Sequence, residues 1–479
     1  MKDQVMTPIE RRASISLAGI YSLRMMGLFL ILPVFSLYAD TLDDTTPVLI
    51  GLAIGIYGLT QALLQIPFGM LSDRFGRKPI ITLGLVIFAL GSVVAANADT
   101  LIGIIMGRAL QGSGAIAAAV MALAADLTRE EHRTKAMAMI GVTIGVSFAV
   151  SLVLGPILNS WIGVPGIFWL TSILAVLGIV LLKMGVPDPE TSCIHRDAES
   201  IPAYFSSVLS NTQLLRLDFG IFVLHMMLTA SFVVLPFALR DYAGIQPDHH
   251  WYIYFPVLLI SMAIMVPFIL LAEKQRRITE VFLGAVLILG LAQTGLMLFY
   301  HSGFGIFFSL LLFFIAFNVL EALLPSLIVK YCPADKKGTA MGVYSTSQFL
   351  GAFAGGVVGG SIYGGYGIQE VFGFCIVIAA GWLLLARTMQ KPLYLSSYMI
   401  NVGTVDASQA SVIEKQLQQQ AGVAEAVVNA EDGVAYLKVD SRVVDTDDLH
   451  AITAHLTDVH ASDDIGQPRG LNQAPTMQP

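Results

Sequence analysis

The sequence predicts an all-α membrane protein with twelve transmembrane helices in two six-helix halves, followed by a small C-terminal α+β ferredoxin-like cytoplasmic domain. Three observations predict it. Of 479 residues, 55% are hydrophobic and 13% charged, with a mean hydropathy of +0.73, whereas a soluble globular chain has about a quarter of its residues charged. Apolar stretches near the roughly 20 residues that cross a bilayer as a helix recur along the chain. After Lys391 the composition turns to that of a soluble domain.

The first six stretches run about 14–38, 48–71, 79–97, 101–125, 136–158 and 164–185, which makes 14–185 the N-terminal half. A polar linker, 186–215, carries Asp188, Glu190, Arg196, Asp197 and Glu199. Six more stretches, about 217–239, 250–272, 279–300, 304–329, 339–363 and 368–388, fill the C-terminal half, 216–390.

Basic loops mark the cytoplasmic side. With the N-terminus, the even-to-odd loops and the tail inside, Arg11, Arg12, Arg74, Arg77, Lys78, Arg129, Arg133, Lys135, Lys274, Arg276, Arg277, Lys330, Lys336, Lys337 and Lys391 all fall on one side. Among the opposite loops only Arg240 is basic, so both termini are expected in the cytoplasm. The net charge of -7 says little about partners, and no nucleic acid is expected. Cys193, Cys332 and Cys375 have no metal or redox spacing, so neither a metal site nor a disulfide is expected. No removable signal peptide is expected before the first span. No nucleotide-binding loop and no cofactor motif is present, so the expectation is a protein that is not an enzyme and is not driven by ATP.

The halves repeat. Pro67-Phe68 corresponds to Pro267-Phe268, Asp73 to Glu273, Arg74 to Lys274 and Arg77 to Arg277, with Arg276 opposite Gly76. Further on, Lys135-Ala136-Met137 aligns with Thr339-Ala340-Met341, and Gly155 with Gly359.

The loop between the second and third spans reads Gly69-Met70-Leu71-Ser72-Asp73-Arg74-Phe75-Gly76-Arg77-Lys78. It resembles the loop signature of the major facilitator superfamily, Gly-x-Leu-x-Asp-Arg-x-Gly-Arg-Lys. The fourth span carries Arg108-Ala109-Leu110-Gln111-Gly112-Ser113-Gly114, similar to that family's Arg-x-x-Gln-Gly-x-Gly. Gly155-Pro156 in the fifth span partly matches its antiporter motif, with Ser151 and Asn159-Ser160 in place of glycines. The resemblance to drug/proton antiporters of this family implies a transporter whose halves meet at a central substrate site. It implies a conformational gate built from Gly69, Asp73, Arg74, Gly76, Arg77 and Asp126, and a part for Arg108 in proton coupling. The alternative for Arg108 is a clamp on backbone carbonyls. For Arg77 and Asp126 it is an interfacial salt bridge of little energy.

Charges inside an apolar span need a reason. Arg24 stands about ten residues into the first span, roughly 15 Å deep at 1.5 Å per residue. It either snorkels to the interface or faces a cavity. Glu321 is the most deeply placed acid of the second half, and a carboxyl group there suits proton binding, against a hydrogen-bonded structural role. His225 is a weaker candidate, with packing as its alternative.

Residues 394–457 read as strand, helix, strand, strand, helix: Tyr398 to Val402, Ala407 to Gln420, Val423 to Val428, Gly433 to Val439 and Thr446 to Leu456. This resembles the heavy-metal-associated domain, but Gly403-Thr404-Val405-Asp406 stands where a metal-binding Cys-x-x-Cys belongs. The domain is expected to take another ligand or to self-associate. From 461 to 479 the chain is polar and expected to be disordered.

The expected function is proton-coupled efflux of a small amphipathic or drug-like compound by alternating access, with small-molecule substrate, protons and the bilayer as partners. A metabolite symporter or uniporter is one alternative. A membrane sensor signalling through the C-terminal domain is another. The resemblance extends to inner-membrane transporters of Gram-negative bacteria that carry such a domain, which implies a bacterial inner membrane location.

Overall fold

A computed structural model describes residues 6–43, 45–188, 201–391, 395–403, 405–430 and 433–440. The chain divides into two units, Met1–Pro392 and Leu393–Pro479.

In the first unit, helix α1 (Pro8–Phe29) starts at a capping box. Thr7 Oγ1 accepts the Glu10 amide at 3.2 Å, and the Glu10 carboxylate accepts the Thr7 amide at 2.7 Å, which satisfies two donors that a helix start leaves open. The single span expected over 14–38 is broken. Residues Leu30–Val34 turn, and a short α2 (Phe35–Ala39) follows, because Pro33 has no amide to carry the helical ladder on. Helix α3 (Pro47–Phe75) ends at Gly76, whose φ of +91° favours glycine, and α4 (Arg77–Ala96) begins at the next residue.

The fourth predicted span is also broken, into α5 (Leu101–Ser113) and α6 (Ala117–Asp126). Helix α7 (Glu130–Gly185) covers the fifth and sixth predicted spans together, and Gly163, at φ +66° and ψ 173°, divides it into two arms. After α8 (Phe205–Leu209), α9 (Thr212–Phe237) starts on the Asn211 side-chain cap. Then come α10 (Trp251–Lys274), α11 (Ile278–Phe299), α12 (Gly303–Tyr331), α13 (Lys337–Gly365) and α14 (Ile368–Ala386).

Among the described residues, nine helices are long and apolar enough to cross a membrane by length and composition. Helices α1 and α13 are not among them; arginines dilute α1, and glycines and hydroxyls dilute α13.

Those diluting residues do the packing. Helix α13 runs between α3 and α9 with glycine on both faces. A Cβ built on Gly55 would stand 2.8 Å from the Phe353 carbonyl oxygen, and one on Gly359 would stand 2.8 Å from Ala230 Cα. Such close approach of backbones is how helices associate in lipid, where apolar surface alone gives no preference. Thr143, Ser147, Ser151 and Gly155, four residues apart, line the first arm of α7 against α1; Ser147 donates to the Ser22 carbonyl at 3.3 Å and Ser151 to the Met26 carbonyl at 3.4 Å. Phe148 on α7 meets Phe29 of α1 at 5.0 Å between centroids, and Phe314 and Phe317 of α12 each at 5.9 Å.

The second unit holds β1 (Ser396–Asn401), α15 (Ala407–Gln418), β2 (Val423–Asn429) and β3 (Val434–Val439). The strands form an antiparallel sheet in the order β1-β3-β2. Ile413 and Leu417 of α15 are buried with Ile400, Ala426, Leu437 and Val439 of the sheet. The expected helix from Thr446 to Leu456 and the tail from 461 to 479 lie outside the described residues, as do Glu190, Arg196, Asp197 and Glu199 of the linker.

Candidate functional site

Three groups of buried polar side chains interrupt the apolar helices. The first sits where α3 turns into α4. The turn is one residue long, so Arg77 starts α4 pointing back at the end of α3. Its Nη1 donates to Ser72 Oγ at 3.0 Å and pairs with Asp73, and its Nε stands 3.1 Å from Asp126 Oδ2 at the end of α6. The side chain of Arg77 is 2% exposed and that of Asp126 is shut off completely, while Asp73 is 35% exposed. Gly69 lets α3 approach α6, since a Cβ there would meet Ala118 Cβ at 3.1 Å. Arg74 lies apart, exposed, with its guanidinium 5.4 Å from the centroid of the Phe75 ring. Of the predicted gate, then, Gly69, Asp73, Gly76, Arg77 and Asp126 come together and Arg74 does not.

The second half holds a counterpart of opposite sign. The register that sets Lys135-Ala136-Met137 beside Thr339-Ala340-Met341 also sets Asp126 beside Lys330. Lys330 Nζ stands 3.0 Å from the Glu273 carboxylate, and Ser326 Oγ donates to the same carboxylate at 2.7 Å.

The second group is built on two buried arginines. Arg108 on α5 is 2% exposed. It donates to Gln111 Oε1 at 3.0 Å and to the Ala53 and Ile54 carbonyls of α3 at 3.4 Å each. Gln111 passes the chain to Ser92 on α4 at 2.8 Å. Arg24 on α1, 1% exposed, donates to Gln61 of α3, and its Nη2 reaches the Gly114 carbonyl at 3.0 Å. That carbonyl lies in the break between α5 and α6, where it also accepts the Ile116 amide at 3.0 Å. The Tyr57 ring lies between the two guanidinium groups, 5.1 Å from Arg108 and 5.8 Å from Arg24, within cation–π range. No carboxylate among the described residues pairs with either arginine. Arg24 is buried rather than snorkelling.

The third group is in the second half. His225 of α9 donates its Nδ1–H to the Ile221 carbonyl at 3.3 Å, which leaves Nε2 as the other ring acceptor or donor. Nε2 meets Glu321 Oε1 of α12 at 3.2 Å and Gln348 Nε2 of α13 at 2.8 Å. The imidazole and the carboxylate are at ion-pair distance, a pair that is charged on both sides only when the ring is protonated, and Glu321 Oε1 makes no hydrogen bond. Glu321 keeps 31% of its side chain accessible although it stands mid-helix.

Gly155 sits apart from all three groups. It faces the broken part of α1, where a Cβ would come 2.8 Å from Pro33 Cγ. Pro156 follows inside the first arm of α7.

Sequence reading missed Glu10 and Asp218. Glu10 carried a signal, since Thr7-x-x-Glu10 ahead of an apolar run is a capping-box pattern. Asp218 was passed over as a span boundary, yet it is 5% exposed and six residues inside α9.

Apolar helices bent around buried arginines, with a histidine set against a mid-helix carboxyl group in the second half, define a polytopic membrane transporter. The chain belongs to the major facilitator superfamily, whose sequence model matches residues 17–356 and 270–393. It is similar to the inner membrane transport protein YajR of Escherichia coli (strain K12), 49% identical over 444 residues, 92% of this chain and 97% of that protein. It is also similar to an uncharacterized transporter of Buchnera aphidicola subsp. Schizaphis graminum (strain Sg), 35% identical over 82% of this chain and all of that one. A bacterial homologue of the human lysosomal transporter Spinster, in an inward-facing and occupied conformation, shares the fold with a TM-score of 0.69 at 14% identity, over 80% of this chain and 98% of that one. The family read from the loop signature is borne out, and these relatives are transporters, not enzymes.

Proposed function

We propose that the protein is a proton-coupled secondary transporter that exports a small amphipathic or drug-like compound by alternating access. The observation that carries this reading is the Glu321–His225 contact of 3.2 Å. It offers one proton site, partly open, in the middle of α12 beside the aromatic rings Phe314 and Phe317. Binding a proton there and binding an apolar, weakly polar guest compete for the same space, which is what antiport needs. A relative, the multidrug resistance protein MdtH of Aeromonas hydrophila, is 24% identical over 71% of this chain, and its name points the same way.

In this reading the two arms of α7 count as separate spans and the broken helices as single ones. Twelve spans then form two halves, 14–185 and 216–390, joined by 186–215, with both termini cytoplasmic in a bacterial inner membrane. Asp73, Arg77 and Asp126 hold the cytoplasmic gate with Gly69 and Gly76 shaping it, and Arg74 faces the headgroups. Arg108 and Arg24 couple the helix break at Gly114 to the state of Glu321, and Gly155-Pro156 lets α7 bend over α1. The C-terminal unit is ferredoxin-like and takes a ligand or a second copy of itself.

The test is proton release from detergent-purified protein on adding a panel of candidate compounds, with Glu321→Gln and Arg108→Ala beside the wild type. Release that either substitution abolishes supports antiport. A compound that binds without releasing protons points to a metabolite symporter or uniporter instead.

A further inference from the structure

Asp218 is the buried titratable group that the proposed mechanism leaves unused. It is 5% exposed, and neither of its carboxylate oxygens has a hydrogen-bond partner. A carboxyl group buried without a partner is costly in its charged form. It stands on α9 seven residues before His225, about two helical turns or ~10 Å away on the same face. Tyr344 stands on α13 four residues before Gln348, the residue that touches His225. Its hydroxyl is buried and likewise has no partner.

The two helices run parallel, since Phe222, Met226 and Ala230 of α9 meet Gly351, Gly355 and Gly359 of α13 in step. Asp218 and Tyr344 therefore lie on the same side of the His225–Gln348 contact, towards the basic loops. From that contact Tyr344 stands about one helical turn and Asp218 about two turns away. On the other elements packed against α9, Trp382 of α14 lies against Gly220, two residues after Asp218, and Glu321 of α12 stands at the level of His225; among the described residues no ion pair is formed by Asp218.

We propose that Asp218 and Tyr344 form a relay that carries the proton between the Glu321–His225 pair and the basic-loop side of the bundle. This rests on the proton-coupled reading. The transfer conserves its parts. Glu321 gives up its proton, Tyr344 accepts one on its oxygen as it passes its own on, and Asp218 takes the proton and releases it to water. Asp218 is then a second proton site, separate from the one that competes with substrate.

The test has two arms, each on the full-length protein in lipid. Infrared difference spectroscopy, titrated between about pH 5 and pH 9, reads protonated carboxyl groups by their C=O stretch across the range that buried carboxyls reach. The wild type should show two titrating bands. Asp218→Asn should lose one, Glu321→Gln the other, and Tyr344→Phe neither. An Asp218→Asn spectrum identical to wild type overturns the relay. In the second arm, proteoliposomes carry ethidium as the probe, with and without an imposed proton gradient. Asp218→Asn and Tyr344→Phe should keep ethidium exchange and lose its acceleration by the gradient. Loss of exchange as well, with the thermal transition unchanged, would place Asp218 in substrate handling and overturn the relay. If the wild type moves no ethidium, the efflux reading fails on that probe, and the infrared arm still decides the relay.

Discussion

Arg77 Nε stands 3.1 Å from Asp126 Oδ2, and both side chains are shut away from solvent. The pair fastens the end of α6 to the one-residue turn between α3 and α4. Removing one partner of a buried pair costs about 3–5 kcal/mol, and less where the other keeps a second partner, as Arg77 keeps Asp73. Arg77→Ala and Asp126→Ala should each lower stability in mixed-micelle unfolding by that order, and the double variant by less than their sum. Additive losses would mean that the pair carries no coupling.

Arg24 is a buried cation with no carboxylate partner, and its Nε and Nη1 make no hydrogen bond. Replacing it by a side chain of similar volume removes an uncompensated charge, which outweighs the one acceptor left without a donor, Gln61 Oε1, at about 1–3 kcal/mol, since the Gly114 carbonyl keeps the Ile116 amide. Arg24→Met should therefore unfold no earlier than wild type while ethidium transport is lost. Transport at the wild-type rate would show that Arg24 serves packing alone.

The glycine contacts of α13 give a sharper contrast. Gly55→Val forces side-chain atoms into the Phe353 backbone, and overpacking of this kind costs about 1–3 kcal/mol. Gly284, with nothing within 4 Å of an added Cβ, should accept alanine with a change within about 0.5 kcal/mol. Unfolding of the two variants in parallel checks both.

Glu10 lies ahead of the first apolar stretch and serves two helix starts. It closes the capping box of α1 and accepts the Arg129 amide at 2.9 Å and the Arg129 Nε at 3.0 Å at the start of α7. Burial by itself would raise its carboxyl, but the hydrogen bonds from Arg129 and Thr7 hold it at about 2, below the ordinary 4.5. The unfolded chain then binds the proton first, so this contribution is complete above pH 4.5 and fades as pH falls towards 2. Wild type should be more stable than Glu10→Gln at neutral pH, and the gap should close across that window. A gap that does not change with pH would sink the assignment.

Family and helix content were legible because bilayer thickness, loop charge and the Gly69-to-Lys78 signature are local properties of the chain. The order strand, helix, strand, strand over the described part of the tail was legible for the same reason, from alternating apolar residues. Breaks were harder. Pro33 and Gly114 were visible as residues, but whether a helix stops there depends on what the carbonyls at the break meet, and the Gly114 carbonyl meets Arg24, ninety positions earlier, beside the Ile116 amide.

The sequence by itself determined that this is a helical transporter of the major facilitator superfamily, and it named Arg77, Arg108, Asp126 and Glu321 as charges that need partners. The family resemblance already set Arg77 with Asp126; only the tertiary structure decided the Ala53 and Ile54 carbonyls for Arg108 and His225 for Glu321. The reason is physical. Inside an apolar bundle a charge is stabilised where another helix supplies a matching group at hydrogen-bond distance, and the pairing of helices far apart in sequence is set by packing, not by any local pattern.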